Sequence, residues 1–410
     1  MSTTADRRTS AVLAAARKTL ERPLASYQLV LGVGSILLGL GLIMVLSASS
    51  VLALKTSGDS FYIFKRQLIF AVVGLVAAFI AANIKLDVLR RLIYPLLGIT
   101  TVLILATFIP GVGIEVQGNR NWLPLFGSFQ IQPSEFAKLA IVLWAADLFA
   151  RKEKLLHEPR HLLVPMIPVT GALALLVVGQ HDLGTALVLF AVIIGMLWVV
   201  GLPGRYMGGV GLTISALLVF FVAAAPHRVV RMLSFLDPMS SADSAGFQSV
   251  HGMMALATGG FWGVGLGGSR QKWGTLPEAH TDFILAVIGE ELGLFGTFVV
   301  IILFALLAYT GVRIASRTKD PFVRYSAAGI TIWLLSQAVV NIGMVLGLLP
   351  VIGIPLPLIS YGGSSLLTTL VALGLLVNFS KTEPGAKRAL AASRKKRGSL
   401  RSRLPTLKRR

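Results

Sequence analysis

Apolar residues gather into ten long runs, at about 28–53, 67–84, 92–110, 132–149, 162–179, 184–201, 207–225, 283–311, 325–348 and 356–379. Each approaches or exceeds the roughly 20 apolar residues that a helix needs to cross a bilayer. The pattern predicts an all-α polytopic membrane protein with ten transmembrane helices. Two connections exceed what a connector needs: Gly111–Ile131 and a segment from about Pro226 to Thr281. Loops of the second length are commonly functional. Within it, His227–Leu236 is a short basic amphipathic stretch, and Phe247, Val250, Met254, Ala257 and Phe261 recur at helical spacing. That spacing predicts an interfacial helix lying on the membrane. Six glycines between Gly259 and Gly268 follow, a run that lets backbone approach backbone or ligand closely.

Composition agrees. The 410 residues are 55% hydrophobic and 14% charged, with a mean hydropathy of +0.77, against about 25% charged in soluble domains. The absence of cysteine excludes disulfides, thiolate metal sites and a cysteine nucleophile. A net charge of +20 suggests nucleic acid until its distribution is read: 12 of the 38 cationic residues follow Ser380. An N-terminus in the cytoplasm places Lys85, Arg90, Arg91, Arg151, Lys152, Lys154, Arg160, Arg205, Arg313, Arg317, Lys319 and Arg324 in inner loops. This is the positive-inside pattern with a polybasic tail facing anionic lipid, so no nucleic-acid partner is expected. The expected organisation is a basic cytoplasmic segment at 1–26, a membrane domain at 27–380 with an extracellular loop at 226–282, and a basic cytoplasmic tail at 381–410. The tail is expected to be disordered. The first apolar run is too long for a signal h-region and should remain as the first span.

Against this background the ionisable residues near the outer ends of spans stand out, since an intramembrane charge is costly and marks a functional candidate. Asp282 enters span eight, where it could equally be a helix N-cap. Glu290 and Glu291 lie roughly 12–13 Å further down and are expected to hydrogen-bond neighbouring helices. Glu135 suits the start of span four after Pro133. Lys138 opposes the helix dipole there and can pair with Glu135 at i,i+3. Asp182 lies in the tight turn Gln180-His-Asp-Leu-Gly-Thr185 and could simply cap span six. Ser360 and Tyr361 follow three prolines and break the last span, so they are expected to face a cavity. Arg120, Arg228, Arg231, Arg270 and Lys272 are outer-side cations that run against the topology bias. They are explained by phosphate groups, by lipid head groups or by loop carboxylates. No His/Asp/Glu spacing marks a metal cluster, and no Walker-type loop occurs.

Taken together, Asn121-Trp122, Gln132-Pro-Ser-Glu-Phe-Ala-Lys138, Gln180-His-Asp-Leu-Gly-Thr185, Leu276-Pro-Glu-Ala-His-Thr-Asp-Phe-Ile284 and Pro355-Leu-Pro-Leu-Ile-Ser-Tyr-Gly-Gly-Ser364 resemble the SEDS (FtsW/RodA) family of bacterial cell-wall proteins. The resemblance covers about Tyr27 to Phe379. Met44-Val-Leu-Ser-Ala-Ser-Ser50 is more similar to the division branch than to the elongation branch. The resemblance implies a peptidoglycan glycosyltransferase that polymerises lipid II outside the cell membrane. It also implies a class B penicillin-binding protein as partner, alongside other divisome proteins. The family's essential acid falls on Asp282, its helix-four pair on Glu135 and Lys138, its turn acid on Asp182 and its loop arginine on Arg231. Two positions depart from the family pattern: His181 replaces a proline, and Ile352 replaces a frequent threonine.

The implied chemistry is inverting glycosyl transfer. Pyrophosphate leaves without an acid, so one base and several cations suffice, unlike the two carboxylates of glycosidases. Asp282 is the expected base. Lys138, Arg120, Arg231 and other outer cations, with Mg²⁺ or Mn²⁺ and no organic cofactor, are expected to hold pyrophosphate. The rival readings are a lipid II flippase and a non-catalytic divisome scaffold.

Overall fold

The computed structural model describes residues 22–392 except 117, 126, 128 and 245. The expectations for residues 1–21 and 393–410 lie outside the described residues. Ten long helices form the bundle: α1 (Ala25–Ser57), α2 (Tyr62–Asn83), α3 (Leu86–Ala106), α4 (Pro133–Arg151), α5 (Pro159–Gly179), α6 (Leu183–Val199), α7 (Gly204–Ala223), α10 (Ile284–Arg317), α11 (Pro321–Val345) and α12 (Gly363–Ser380). Two shorter helices, α8 (Pro226–Leu236) and α9 (Phe247–Gly259), lie between α7 and α10. Proline occupies the first turn of α4, α5, α8 and α11, where its missing N–H costs nothing.

Among the described residues, nine helices are long and apolar enough to cross a membrane. The tenth expected span corresponds to α4, which carries Glu135, Lys138, Asp147 and Arg151 within 19 residues. Its charges are paired inside the bundle. Lys138 meets Glu135, while Asp147 accepts from Arg90 Nε and Arg151 Nε at 2.7 Å each. Nearly every residue of α4 is buried, with α3, α6, α11 and α12 packed around it. By contrast, Ile214 alone is buried on α7, which leans on α6 and α8.

The segment Gly111–Ile131 departs from a purely helical expectation. It holds a small antiparallel sheet of β1 (Ile114–Val116), β2 (Asn119–Pro124) and β3 (Gln130–Ile131), with Ile114 opposite Trp122 and Leu123 opposite Ile131. The last span also differs, because its helix begins at Gly363 rather than 356. Pro355 and Pro357 cannot donate to a helix ladder, and Leu358 sits at φ 66°. Residues 381–392 likewise depart from a loose tail. Lys381 Nζ donates to Ala82 O at 2.6 Å, and Glu383 and Ala386 are buried.

The helix expected at 247–261 is α9, but it does not simply lie on a surface. Its Val250, Gly252, Ala255 and Gly259 face is buried, and it packs along α10. Beneath it α10 is broken: Gly293 takes φ 69°, ψ −168°. The glycine-rich run supplies the backbone partners that the break removes. Val264 N and Gly265 N donate to Glu290 O and Glu291 O, and Leu294 N and Phe295 N donate to Gly260 O and Phe261 O, all at 2.9–3.2 Å. Irregular backbone inside a membrane protein persists only when satisfied in this way. A Cβ on Gly293 would overlap Gly263 N and Phe261 O, and one on Gly263 would overlap Glu291 O. Gly293→Ala is therefore expected to destabilise the protein by on the order of 1–3 kcal/mol or more. Thermal unfolding in detergent checks this, and an unchanged midpoint contradicts it.

Candidate active site

Three irregular segments meet at one face of the bundle: 276–283 ahead of α10, 350–362 ahead of α12, and the turn between α5 and α6. The peptide that carries Asp282 is held there at three successive carbonyls. His280 O accepts from Tyr361 N at 2.9 Å, Thr281 O from Ser360 Oγ at 2.6 Å and Asp282 O from Asn341 Nδ2 at 2.8 Å. Its side chain is treated very differently. Phe283, not Asp282, is the N-cap residue of α10, and no side chain caps that helix, so the capping explanation for Asp282 fails. No hydrogen-bond donor among the described residues reaches its carboxylate. Gly353, at φ 73°, forms the facing wall; a Cβ there would stand 3.3 Å from Asp282 Oδ2. Burial first, then the like charges of Glu278 and Asp182, push the Asp282 carboxyl up to about 7. Desolvation and like charge both disfavour the ionised form.

Asp182 has the opposite surroundings. It caps α6 by accepting from Thr185 N at 2.9 Å, and it also accepts from Thr185 Oγ1, Asn121 Nδ2 and Gln132 Nε2 at 2.7–2.9 Å. These donors bind the sheet of Gly111–Ile131 to the turn. Of two neighbouring acids, one is saturated with donors and the other meets none among the described residues. Among the described residues, the hydrogen bonds of Asp182 make it part of the framework, whereas the Asp282 side chain is left out of it. The non-glycine residues with positive φ among the described residues are His181, Glu278 and Leu358, one in each of the three segments. Strain of this kind clusters at functional sites. His181, at φ 67° with Nδ1 3.2 Å from Gly118 O, holds a conformation that proline, fixed near −65°, cannot take.

Glu135 and Lys138 are buried and paired at 2.7 Å. Lys138 Nζ also donates to Gln337 Oε1 at 2.9 Å and lies over the Trp333 ring. Gln337 Nε2 in turn donates to Pro355 O at 2.9 Å. The pair thus supports the proline-rich segment from below. Ser360 does not face an open cavity: it is buried, with its hydroxyl accepting from Leu356 N while donating to Thr281 O. Tyr361 packs against His280 with ring centroids 5.5 Å apart. Burial lowers the His280 pKa, opposed by Glu278. Glu290 and Glu291 sit away from this constellation, just before the α10 break. Glu290 accepts from Ser269 Oγ and Arg270 N, and Glu291 from Ser47 Oγ and Lys272 Nζ. They tie the loop to α1 and α10.

The loop cations expected on the outer side separate accordingly. Lys272 is buried in its pair with Glu291 at 2.9 Å. Arg228 Nη1 donates to Phe221 O at 3.0 Å, and Arg120 lies 3.8 Å from Glu115. Arg231 is exposed and lines a small hollow with Ser234, Phe235, Gln248, Ser249 and Val351. Val351 is two residues from Gly353, the wall facing Asp282. Sequence reasoning missed Asn341, Gln67 and Gln337. Their signal was available, as amides inside otherwise apolar runs.

A polytopic helical bundle with a half-buried acid, unmatched by any donor among the described residues, set among irregular segments at one face defines a multi-pass membrane protein with a built site. The chain belongs to the FtsW/RodA/SpoVE family of cell cycle proteins, which it matches over residues 27–384. It is 41% identical over 387 residues to the probable peptidoglycan glycosyltransferase FtsW of Mycobacterium tuberculosis, covering 94% of this chain and 74% of that protein. It is 40% identical over 346 residues to the stage V sporulation protein E of Bacillus subtilis, covering 84% and 92%. Among solved structures, a chain of a peptidoglycan synthase complex that coordinates polymerization and crosslinking is similar, with a TM-score of 0.68 and 29% identity over 87% of this chain and 97% of that one. The rod shape determining protein RodA of Thermus thermophilus gives a TM-score of 0.60 at 29% identity, covering 87% and 97%.

The Lys272–Glu291 pair yields a prediction. Removing one partner of a buried pair leaves an uncompensated charge and costs about 3–5 kcal/mol. Lys272→Met is expected to lower the thermal midpoint in detergent markedly. A wild-type midpoint contradicts the pairing.

Proposed function

We propose that this protein is a peptidoglycan glycosyltransferase that polymerises lipid II into glycan strands at the outer face of the bacterial cytoplasmic membrane, in septal wall synthesis. The observation that carries the reading is the Asp282 carboxylate, half-buried, reached by no donor among the described residues and mounted on a fixed peptide. The names borne by relatives at 40–41% identity support the enzyme class and the division role. In this reading α4 is a tenth span, both termini face the cytoplasm, and the Asp282 face lies outside. The basic residues between spans support that orientation.

Asp282 accepts the proton of the acceptor GlcNAc 4-hydroxyl as that oxygen bonds to the anomeric carbon of the donor MurNAc. The bond from that carbon to undecaprenyl pyrophosphate breaks, and its electron pair leaves with the phosphate. Attack opposite the leaving group converts an α-linked donor into a β-linked glycan. A base with a pKa near the working pH suits this step. Arg231, on the hollow beside Val351, and Arg120 are the cations proposed to meet pyrophosphate. Glu135, Lys138, Asp182, Ser360 and Tyr361 hold the site's walls. Among the described residues no group of three or more His, Asp or Glu could hold a metal. The proposed Mg²⁺ or Mn²⁺ would be held mainly by pyrophosphate oxygens, as is usual for such ions at phosphate sites. The proposed partner is a class B penicillin-binding protein, supported by the similarity to a chain of a synthase complex.

Asp282→Asn is expected to lower lipid II polymerisation by about 10²–10⁴-fold, measured with the partner's transpeptidase inactivated. Wild-type rates in that variant would sink the assignment. Because the base must be ionised, the wild-type rate is expected to rise with pH through about 7. Stability follows the reverse course. A carboxyl whose pKa is raised on folding favours the folded state below its unfolded pKa of about 4, and that contribution is lost as pH rises through about 7. Asp282→Asn is thus expected to melt above the wild type at alkaline pH and to match it near pH 4. Equal midpoints at alkaline pH contradict the burial penalty.

A further inference from the structure

We propose that two buried amide side chains, Asn341 on α11 and Gln67 on α2, are positioning residues for the transfer reaction, fixing the peptide of Asp282 against the segment 353–362. The inference rests on the reading of Asp282 as the base. Both amides are almost fully buried, at 0% and 1% exposure, in runs where a leucine would satisfy the hydropathy pattern. Burying an amide costs free energy unless its hydrogen bonds are made, so what each one bonds is informative.

Asn341 spends both hydrogens of Nδ2 on main-chain carbonyls, Asp282 O at 2.8 Å and Ile354 O at 2.6 Å. One carbonyl belongs to the acid itself. The other adjoins Gly353, the residue that faces the acid's Oδ2. A single side chain therefore sets the gap between the carboxylate and its opposite wall. Its Oδ1 is buried and meets no donor among the described residues.

Gln67 uses both ends of its amide. Nε2 donates to Ser360 O at 3.1 Å, and Oε1 accepts from Gly362 N at 3.3 Å. These bonds bracket Tyr361, whose N–H holds His280 O, and they fix Ser360, whose hydroxyl holds Thr281 O. The three carbonyls that mount Asp282 thus trace to two helices: His280 and Thr281 to Gln67, and Asp282 to Asn341. Neither amide is bonded to the Asp282 carboxylate, so both act through the backbone. Positioning of this kind matters because a displacement of about 1 Å at a reacting group can cost about 10²-fold in rate.

The test measures lipid II polymerisation by the full chain in complex with its partner synthase. Asn341→Ala and Gln67→Ala are expected to lower kcat by about 10- to 100-fold while KM for lipid II stays within about twofold, as expected when an interaction acts on the transition state alone. Asn341→Ser, which keeps one donor in a smaller side chain, is expected to recover part of the loss and to fold even if the alanine variant does not. Thermal midpoints of each variant report folding independently. A folded Asn341→Ser or Gln67→Ala enzyme with wild-type kcat, or one whose KM rises while kcat holds, overturns the inference. Asp282→Asn separates the two claims. If that variant retains activity, the base assignment fails. If it is inactive while both amide variants keep kcat, only the positioning inference fails.

Discussion

A carboxylate that loses water without gaining a hydrogen bond pulls the chain that carries it back toward solvent. The rest of the structure must oppose that pull. Asp282 is half in this position: it is partly buried, no donor reaches its side chain among the described residues, and the charges of Glu278 and Asp182 act against its ionised form. The opposition comes from the main chain, with carbonyls 280, 281 and 282 each held by a different partner. Those partners depend on amides buried in α2 and α11 and, through Gln337 and Pro355, on the Glu135–Lys138 pair in α4. The polar groups inside the bundle read as one scaffold for an acid left without donors among the described residues.

The same logic explains why the long segment between α7 and α10 is structured. Breaking α10 at Gly293 frees backbone groups at depth, and the run from Gly260 to Gly265 satisfies them. Directly above the break, Glu290 and Glu291 take donors from Ser269, Arg270, Lys272 and Ser47. The returning chain is thereby anchored before it reaches Asp282. Loop, break and buried pair form a continuous path from α1 to the site.

Much of this was legible in the amino-acid order because membrane constraints are severe. Lengths of apolar runs marked the helices, and the cost of intramembrane charge marked Asp282, Glu290, Glu291 and Lys138. Local rules failed where backbone geometry decides. Asp182 and Asp282 both look like caps, yet only Asp182 caps; no periodicity separates the two. The break at Gly293 was hidden within the eighth apolar run, because its backbone partners lie some 30 residues earlier in the chain. The sheet of Gly111–Ile131 is too short to show alternation. Ser360 looked like a cavity residue because its helix is interrupted, whereas the interruption itself consumes its hydroxyl. Asn341, Gln67 and Gln337 passed as ordinary polar residues in apolar runs, since their importance lies in which carbonyls they reach.

The central claim is that Asp282 stays protonated to near neutral pH because it is buried beside other acids. Infrared difference titration of the protein against Asp282→Asn tests it most directly. The account predicts a protonated carboxylic acid band that belongs to Asp282 and disappears with a midpoint near pH 7. A carboxylate already ionised down to about pH 4, the ordinary range for aspartate, would contradict it.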